Sequence, residues 1–228
     1  MDGVLFTYAG PGAEITSNTF QIWSSAWNMT DGSGPGPLMT QDGVWVDRFA
    51  FDSEYMNVPY DQTIGIYCHE IGHTMFGLPD LYDYDGSSAG VGVWSLMGYG
   101  NWNGPGGSWD GSRPAWPDAW SRTLMGFETP TVIYGNMTSY PFQPVESLGG
   151  PGTGNVVRLE SPGLGPQEYF LVEYRDNTLT SYDSALPGSG LLIWHIDEEK
   201  WNVWELNTYE CRSIPCCSGQ CPTWHPLV

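Results

Sequence analysis

The run from about Gln62 to Phe76 constrains this chain more than any other segment. It is apolar enough to bury one side, Gly77 and Pro79 stop it as a helix, and it carries His69-Glu70-Ile71-Gly72-His73. On a helix, two histidines four residues apart lie about 40° apart around the axis. Both imidazoles can then reach one ion.

Neutral histidine is a good zinc ligand, and a catalytic zinc takes three protein ligands and leaves its fourth position to water. Bound zinc lowers the pKa of that water towards about 7, and Glu70, rotated about 100° from His69, is placed to take its proton. The chain has four histidines, and two of them fall in this motif. The candidate third ligand lies in Gly77-Leu78-Pro79-Asp80-Leu81-Tyr82-Asp83, where the glycine ends the helix and lets the chain turn back. Asp80 is the first choice. The same aspartate could instead cap a turn.

Charge narrows the field. Asp and Glu total 26 against 7 Lys and Arg, a formal charge of -19 that repels phosphate backbones and argues against nucleic-acid binding. No stretch approaches the roughly 18 to 20 apolar residues needed to span a bilayer, so membrane insertion is not expected. Cys68 reads as a small apolar group packed on the helix rather than a nucleophile. Cys211, Cys216, Cys217 and Cys221 crowd near the end at a spacing that is no standard zinc pattern; disulfides are expected there, with a pairing that cannot be read.

Along the chain, Val4 to Tyr8, Val44 to Val46 and Arg48 to Phe51 read as strands, and Pro117 to Leu124 as a short helix before Gly126. Residues 81–111 are rich in Gly, Asp, Ser and aromatics and read as a long ordered loop. Within it, Asp83-Tyr84-Asp85-Gly86 resembles the start of a calcium loop, which makes Asp83 and Asp85 candidate calcium ligands, with a solvated acidic turn as the plainer reading. Trp94, Trp102 and Trp109 are candidates for lining a cleft or for packing the loop. Beyond Thr129 the character changes to short β runs at 131–134, 156–159, 169–174 and 191–196. The expected fold class is α+β: residues 1–128 as a zinc-peptidase catalytic domain lacking some of its N-terminal part, then residues 129–228 as a β-rich, sandwich-like module that is itself cut short.

Residues 65–83, GIYCHEIGHTMFGLPDLYD, resemble the immune inhibitor A-like metallopeptidases, whose pattern is H-E-x-G-H-x-x-G-x-P-D followed by a Tyr-Asp pair. Ala9-Gly10-Pro11-Gly12, Ile22-Trp23-Ser24-Ser25, Gly92 to Gly98, Glu168 to Tyr174 and Gly190 to Asp197 resemble further segments of that family, so the likeness runs from about 5 to 197. It implies secretion and a metzincin-like catalytic domain with His69, His73 and Asp80 on zinc, Glu70 as general base, and Met97 in a structural methionine turn beneath the metal. In some metzincins a tyrosine placed like Tyr99 supports the transition state. Here Gly77 and Asp80 stand one residue later than in the family pattern, and one added helical residue swings the exit by about 100°. Asp83 is therefore the reserve third ligand.

The function implied is a secreted zinc-dependent endopeptidase acting on protein or peptide substrates, with one catalytic zinc and a candidate calcium. The alternative is a secreted binding or adhesion module that keeps the peptidase fold with little or no catalysis. Substrate preference and oligomeric state are not legible.

Overall fold

In a computed structural model that describes residues 2–30, 34–84, 88–106, 110–147, 155–160, 163–165, 167–179 and 182–202, the chain divides into two compact units. One comprises Met1–Pro79 with Asn101–Pro114, the other Asp80–Gly100 with Ala115–Val228.

The first unit contains β1 (Asp2–Pro11), α1 (Ala13–Thr16), β2 (Ser25–Asn28), β3 (Leu38–Met39), β4 (Trp45–Tyr55) and α2 (Ile64–Phe76). β4 is the hub of its sheet: β1 pairs with it in parallel, and β2 and β3 pair with it antiparallel. The two strands expected at 44–46 and 48–51 are one. Asp47, which separated them in the sequence, falls where the β1 pairing shifts register between Asp2 and Gly3, and its carboxylate takes the N–H and the hydroxyl of Thr30, each at 3.0 Å. Period-2 alternation then sorts the strand, with Ala50 and Asp52 fully buried and Phe49 and Phe51 grouped with Phe6 in an aromatic cluster.

Helix α2 packs on β4, β1 and β2. Its buried positions are Gly65, Ile66, His69, Glu70, Gly72 and Thr74, a set with only one large apolar side chain. An ordinary amphipathic helix buries several, and 13 residues are marginal as an isolated helix, so α2 depends on close backbone packing. The contact is tightest at Gly65, where a Cβ would sit 1.8 Å from the Asn101 carbonyl oxygen and where the N–H donates to the Gly111 carbonyl at 2.9 Å. Thr63 ties the same point by donating to the Asp110 carbonyl at 2.8 Å.

The second unit contains α3 (Ala119–Leu124), β5 (Thr131–Ile133), β6 (Val157–Leu159), β7 (Glu168–Arg175), β8 (Gly190–Asp197) and α4 (Glu198–Asn202). The sheet runs β5-β6-β7-β8, with β5 parallel to β6 and the other neighbours antiparallel. α3 starts where the Asp118 carboxylate accepts the N–H of Ser121 at 2.9 Å, a conventional N-cap, and packs on β7 and β8. The fold is thus mixed α and β, with two mixed sheets and few helices. Among the described residues, no helix is long and apolar enough to cross a membrane.

Candidate metal centre

The site is built at the C-terminal end of α2. Gly77 closes the helix in the left-handed region (φ 69°), where a side chain would be strained. The closing turn is wide: the Gly77 N–H faces the carbonyls of both Gly72 and His73, and the Leu78 N–H reaches back to the Gly72 carbonyl at 3.2 Å. A Schellman closure would return that last bond to the residue five back; here it returns six back. This widening of the π-helical kind absorbs the extra residue noted in the sequence, so the chain beyond Gly77 still turns back over the helix end.

The turn orients His73. Its Nδ1 lies 2.6 Å from the Leu78 carbonyl oxygen, which can only accept, so Nδ1 carries the proton and Nε2 keeps its lone pair. That Nε2 is 3.0 Å from the Nε2 of His69, and the two rings stand perpendicular. Two nitrogens each about 2.0 to 2.1 Å from one tetrahedral ion lie about 3.3 Å apart, close to what is seen. One ligand atom from each of His69, His73 and Asp80 falls within 4.8 Å of the others. The group is carried by one short stretch of chain, 69–80.

Tyr84 was not singled out by the sequence, although it stands four residues after Asp80. Its hydroxyl donates to Asp80 Oδ2 at 2.9 Å. Burial first, then the charge and hydrogen bond of Asp80, push the Tyr84 phenol well above its ordinary value, so it remains a donor. Asp83 lies outside the three-residue group: it is buried, and its carboxylate accepts the Ser88 N–H at 2.5 Å. Asp85, the other candidate calcium ligand, lies outside the described residues, as do Trp109 and the four clustered cysteines.

Glu70 is buried on the inward side of α2. Near it lies Asp52 of β4, a second residue that sequence reasoning missed, because an aspartate inside a strand reads as solvent-facing. Its carboxylate is fully buried and without a hydrogen-bond donor; the Ser24 hydroxyl beside it gives its proton to Glu14 at 2.7 Å. Burial, followed by the charges of Glu70 and Glu14, pushes Asp52 up to about 7. Burial and the Asp52 charge also raise the thiol of half-buried Cys68, keeping it protonated and a poor nucleophile.

Met97 is fully buried in a turn where the N–H groups of Gly98 and Gly100 both bond the Ser95 carbonyl at 3.0 Å. Its own carbonyl accepts the Leu81 N–H at 2.7 Å. Trp94 is buried in the packing and Trp102 is half-buried, whereas Tyr99 is partly exposed and stacks on Tyr82 with ring centroids 5.8 Å apart.

The model of the family described as immune inhibitor A peptidase M6, catalytic domain, matches residues 7–128. A 115-residue stretch, 46% of this chain, is 36% identical to the immune inhibitor A of Bacillus thuringiensis subsp. alesti and covers 16% of that protein. A 138-residue stretch, 55% of this chain, is 30% identical to the pre-pro-metalloprotease PrtV of Vibrio cholerae serotype O1 and covers 14% of it. The chain therefore spans only a small part of the length of these relatives. No solved structure matches it significantly. With more than half of its residues inside the family match, the chain belongs to the immune inhibitor A (M6) peptidase family.

Proposed function

We propose that the chain is the catalytic part of a secreted, zinc-dependent endopeptidase, with His69, His73 and Asp80 holding the metal and Glu70 acting as general base. The observation that carries this reading is the convergence of two imidazole Nε2 atoms, 3.0 Å apart, with the carboxylate of Asp80, all ligand atoms within 4.8 Å. Two neutral imidazoles and one carboxylate are a donor set that catalytic zinc takes.

When bound there, zinc polarises the scissile carbonyl and acidifies water. The protein's own part is distinct. The Leu78 carbonyl fixes the His73 ring through Nδ1, with Nε2 facing the Nε2 of His69, and Tyr84 holds Oδ2 of Asp80. Glu70 accepts the proton of the attacking water and delivers it to the leaving amine, so that the carboxylate ends the cycle as it began. Its neighbour Asp52, pushed up to about 7 by burial and by the charges of Glu70 and Glu14, is a second buried carboxyl near the general base. Met97 is proposed as packing beneath the metal and Tyr99, partly exposed, as a hydroxyl available to the substrate; Tyr99→Phe should then lower kcat and leave metal content unchanged.

The same reading takes residues 1–128 as the catalytic domain, metzincin-like in arrangement, followed by a β-rich module. Secretion is proposed from the relatives. A non-catalytic binding module finds no favouring observation. The test is the metal content of purified full-length chain and its hydrolysis of casein with and without chelator. Zinc at one per chain, and cleavage lost on chelation and restored by zinc, are expected. Full zinc binding in Asp80→Ala, with loss in Asp83→Ala, would transfer the third-ligand role to Asp83.

A further inference from the structure

Arg175 closes β7 with a fully buried side chain, and all five of its N–H groups are engaged. Nε donates to Asp183 Oδ2 at 2.5 Å and Nη2 to Asp183 Oδ1 at 2.5 Å, a bidentate fork. Nη1 donates to the Trp94 carbonyl at 2.9 Å and to Glu173 Oε1 at 3.5 Å, and Nη2 also reaches the Trp116 carbonyl at 3.3 Å. Glu173, equally buried, receives Arg122 Nη1 at 2.9 Å and the indole N–H of Trp194 at 2.7 Å. Two guanidiniums thus face two carboxylates in an interior with almost no solvent.

Such clusters add little net stability, since well-packed apolar side chains of similar volume often do as well. What an apolar cluster lacks is direction, and the directed bonds here end on the backbone around the methionine turn. Arg175 holds the Trp94 carbonyl. The next residue, Ser95, donates to Asp118 at 2.6 Å and accepts the Met97 N–H at 3.2 Å. The Met97 carbonyl takes the Leu81 N–H, and Leu81 follows Asp80 directly. Residues 80–100 also share one compact unit with the sheet that carries Arg175.

We propose that Arg175, clamped by Asp183 and Glu173, is a positioning residue for the metal centre: from β7 it fixes the turn at 94–97, and through the Met97 carbonyl it fixes the backbone that presents Asp80. The proposal rests on Asp80 being a metal ligand. It makes the second sheet part of the peptidase machinery, although the family match ends at residue 128. Lysine cannot replace this arginine, because a point charge on a flexible stem cannot serve two carbonyls and a carboxylate fork together.

The test uses the full chain and measures the zinc dissociation constant by competition with a chromogenic chelator, well below the melting temperature, alongside peptide hydrolysis at limiting and saturating zinc. Arg175→Lys is expected to weaken zinc binding about 10- to 100-fold, as loss of an outer support does, and to recover activity as zinc is raised. Asp183→Asn, which keeps the shape and loosens the fork, is expected to weaken it several-fold and decides the matter if Arg175→Lys does not fold. Asp80→Ala is the reference. If Asp80→Ala loses zinc while the folded Arg175 and Asp183 variants bind it as the parent does, the positioning role is overturned; if Asp80→Ala itself retains zinc, the ligand assignment is what fails.

Discussion

His73 Nδ1 lies 2.6 Å from the carbonyl oxygen of Leu78, five residues on and just beyond the end of the same helix. The bond exists because Gly77 takes a left-handed conformation and turns Leu78 back onto the helix end. One glycine therefore controls the orientation of a candidate ligand.

Gly77→Ala should show this coupling. A Cβ at φ 69° is strained, and it would sit 3.0 Å from Arg48 Nη1, so a loss of about 1 kcal/mol or more of stability is expected. Because the Leu78 carbonyl moves with the turn, zinc affinity should fall as well. Thermal unfolding and metal competition on the same variant check both effects; a destabilised variant with unaltered zinc affinity would dissociate the turn from the site.

Tyr84→Phe removes the hydroxyl that holds Asp80 Oδ2 and keeps the ring that packs on Tyr82. A loss of about 10-fold in zinc affinity is expected with little change in melting temperature, since only an orienting bond is removed. Parent-like affinity in Tyr84→Phe would place Asp80 orientation elsewhere.

Asp52 carries the pH prediction. Its folded-state value of about 7 lies above its ordinary 3.8, so between these values the folded chain holds a proton that the unfolded chain has released. The metal-free protein should then lose stability as pH rises from about 4 to 7, with a slope of up to about 1.4 kcal/mol per unit from this group, and level off above. Asp52→Asn should flatten that part of the profile and be the more stable protein at pH 8. Denaturant titrations in chelator across this range measure it; parallel profiles for parent and variant would show that Asp52 is ionised throughout.

The parts of the fold that were legible in the sequence follow from local rules. α2 was announced by its apolar run and by Gly77 and Pro79, and the strands at 131–133, 157–159, 168–175 and 190–197 by short β-type runs between turns. β2 escaped because Ser25–Asn28 is short, with Trp27 and Asn28 exposed, and its place is set by pairing with β4. The supporting residues escaped for a related reason. Glu173 and Arg175 stand two apart on the inward side of β7 with Leu171, where an alternation rule expects apolar residues, and their burial is tolerable only because Arg122 and Trp194 arrive from other elements and Asp183 from eight residues on. The histidines could be read because their spacing is itself the chemistry; Tyr84, Asp52 and Arg175 could not, because their roles lie in what they touch.

The most direct test of the account is Glu70→Gln in the full chain, with bound zinc and peptide hydrolysis measured on the same sample. The predicted result is zinc at the parent level, an unchanged fold by circular dichroism, and kcat reduced by about 10²- to 10⁴-fold, the range expected for losing a general base. Zinc-loaded Glu70→Gln that cleaves as fast as the parent would contradict it.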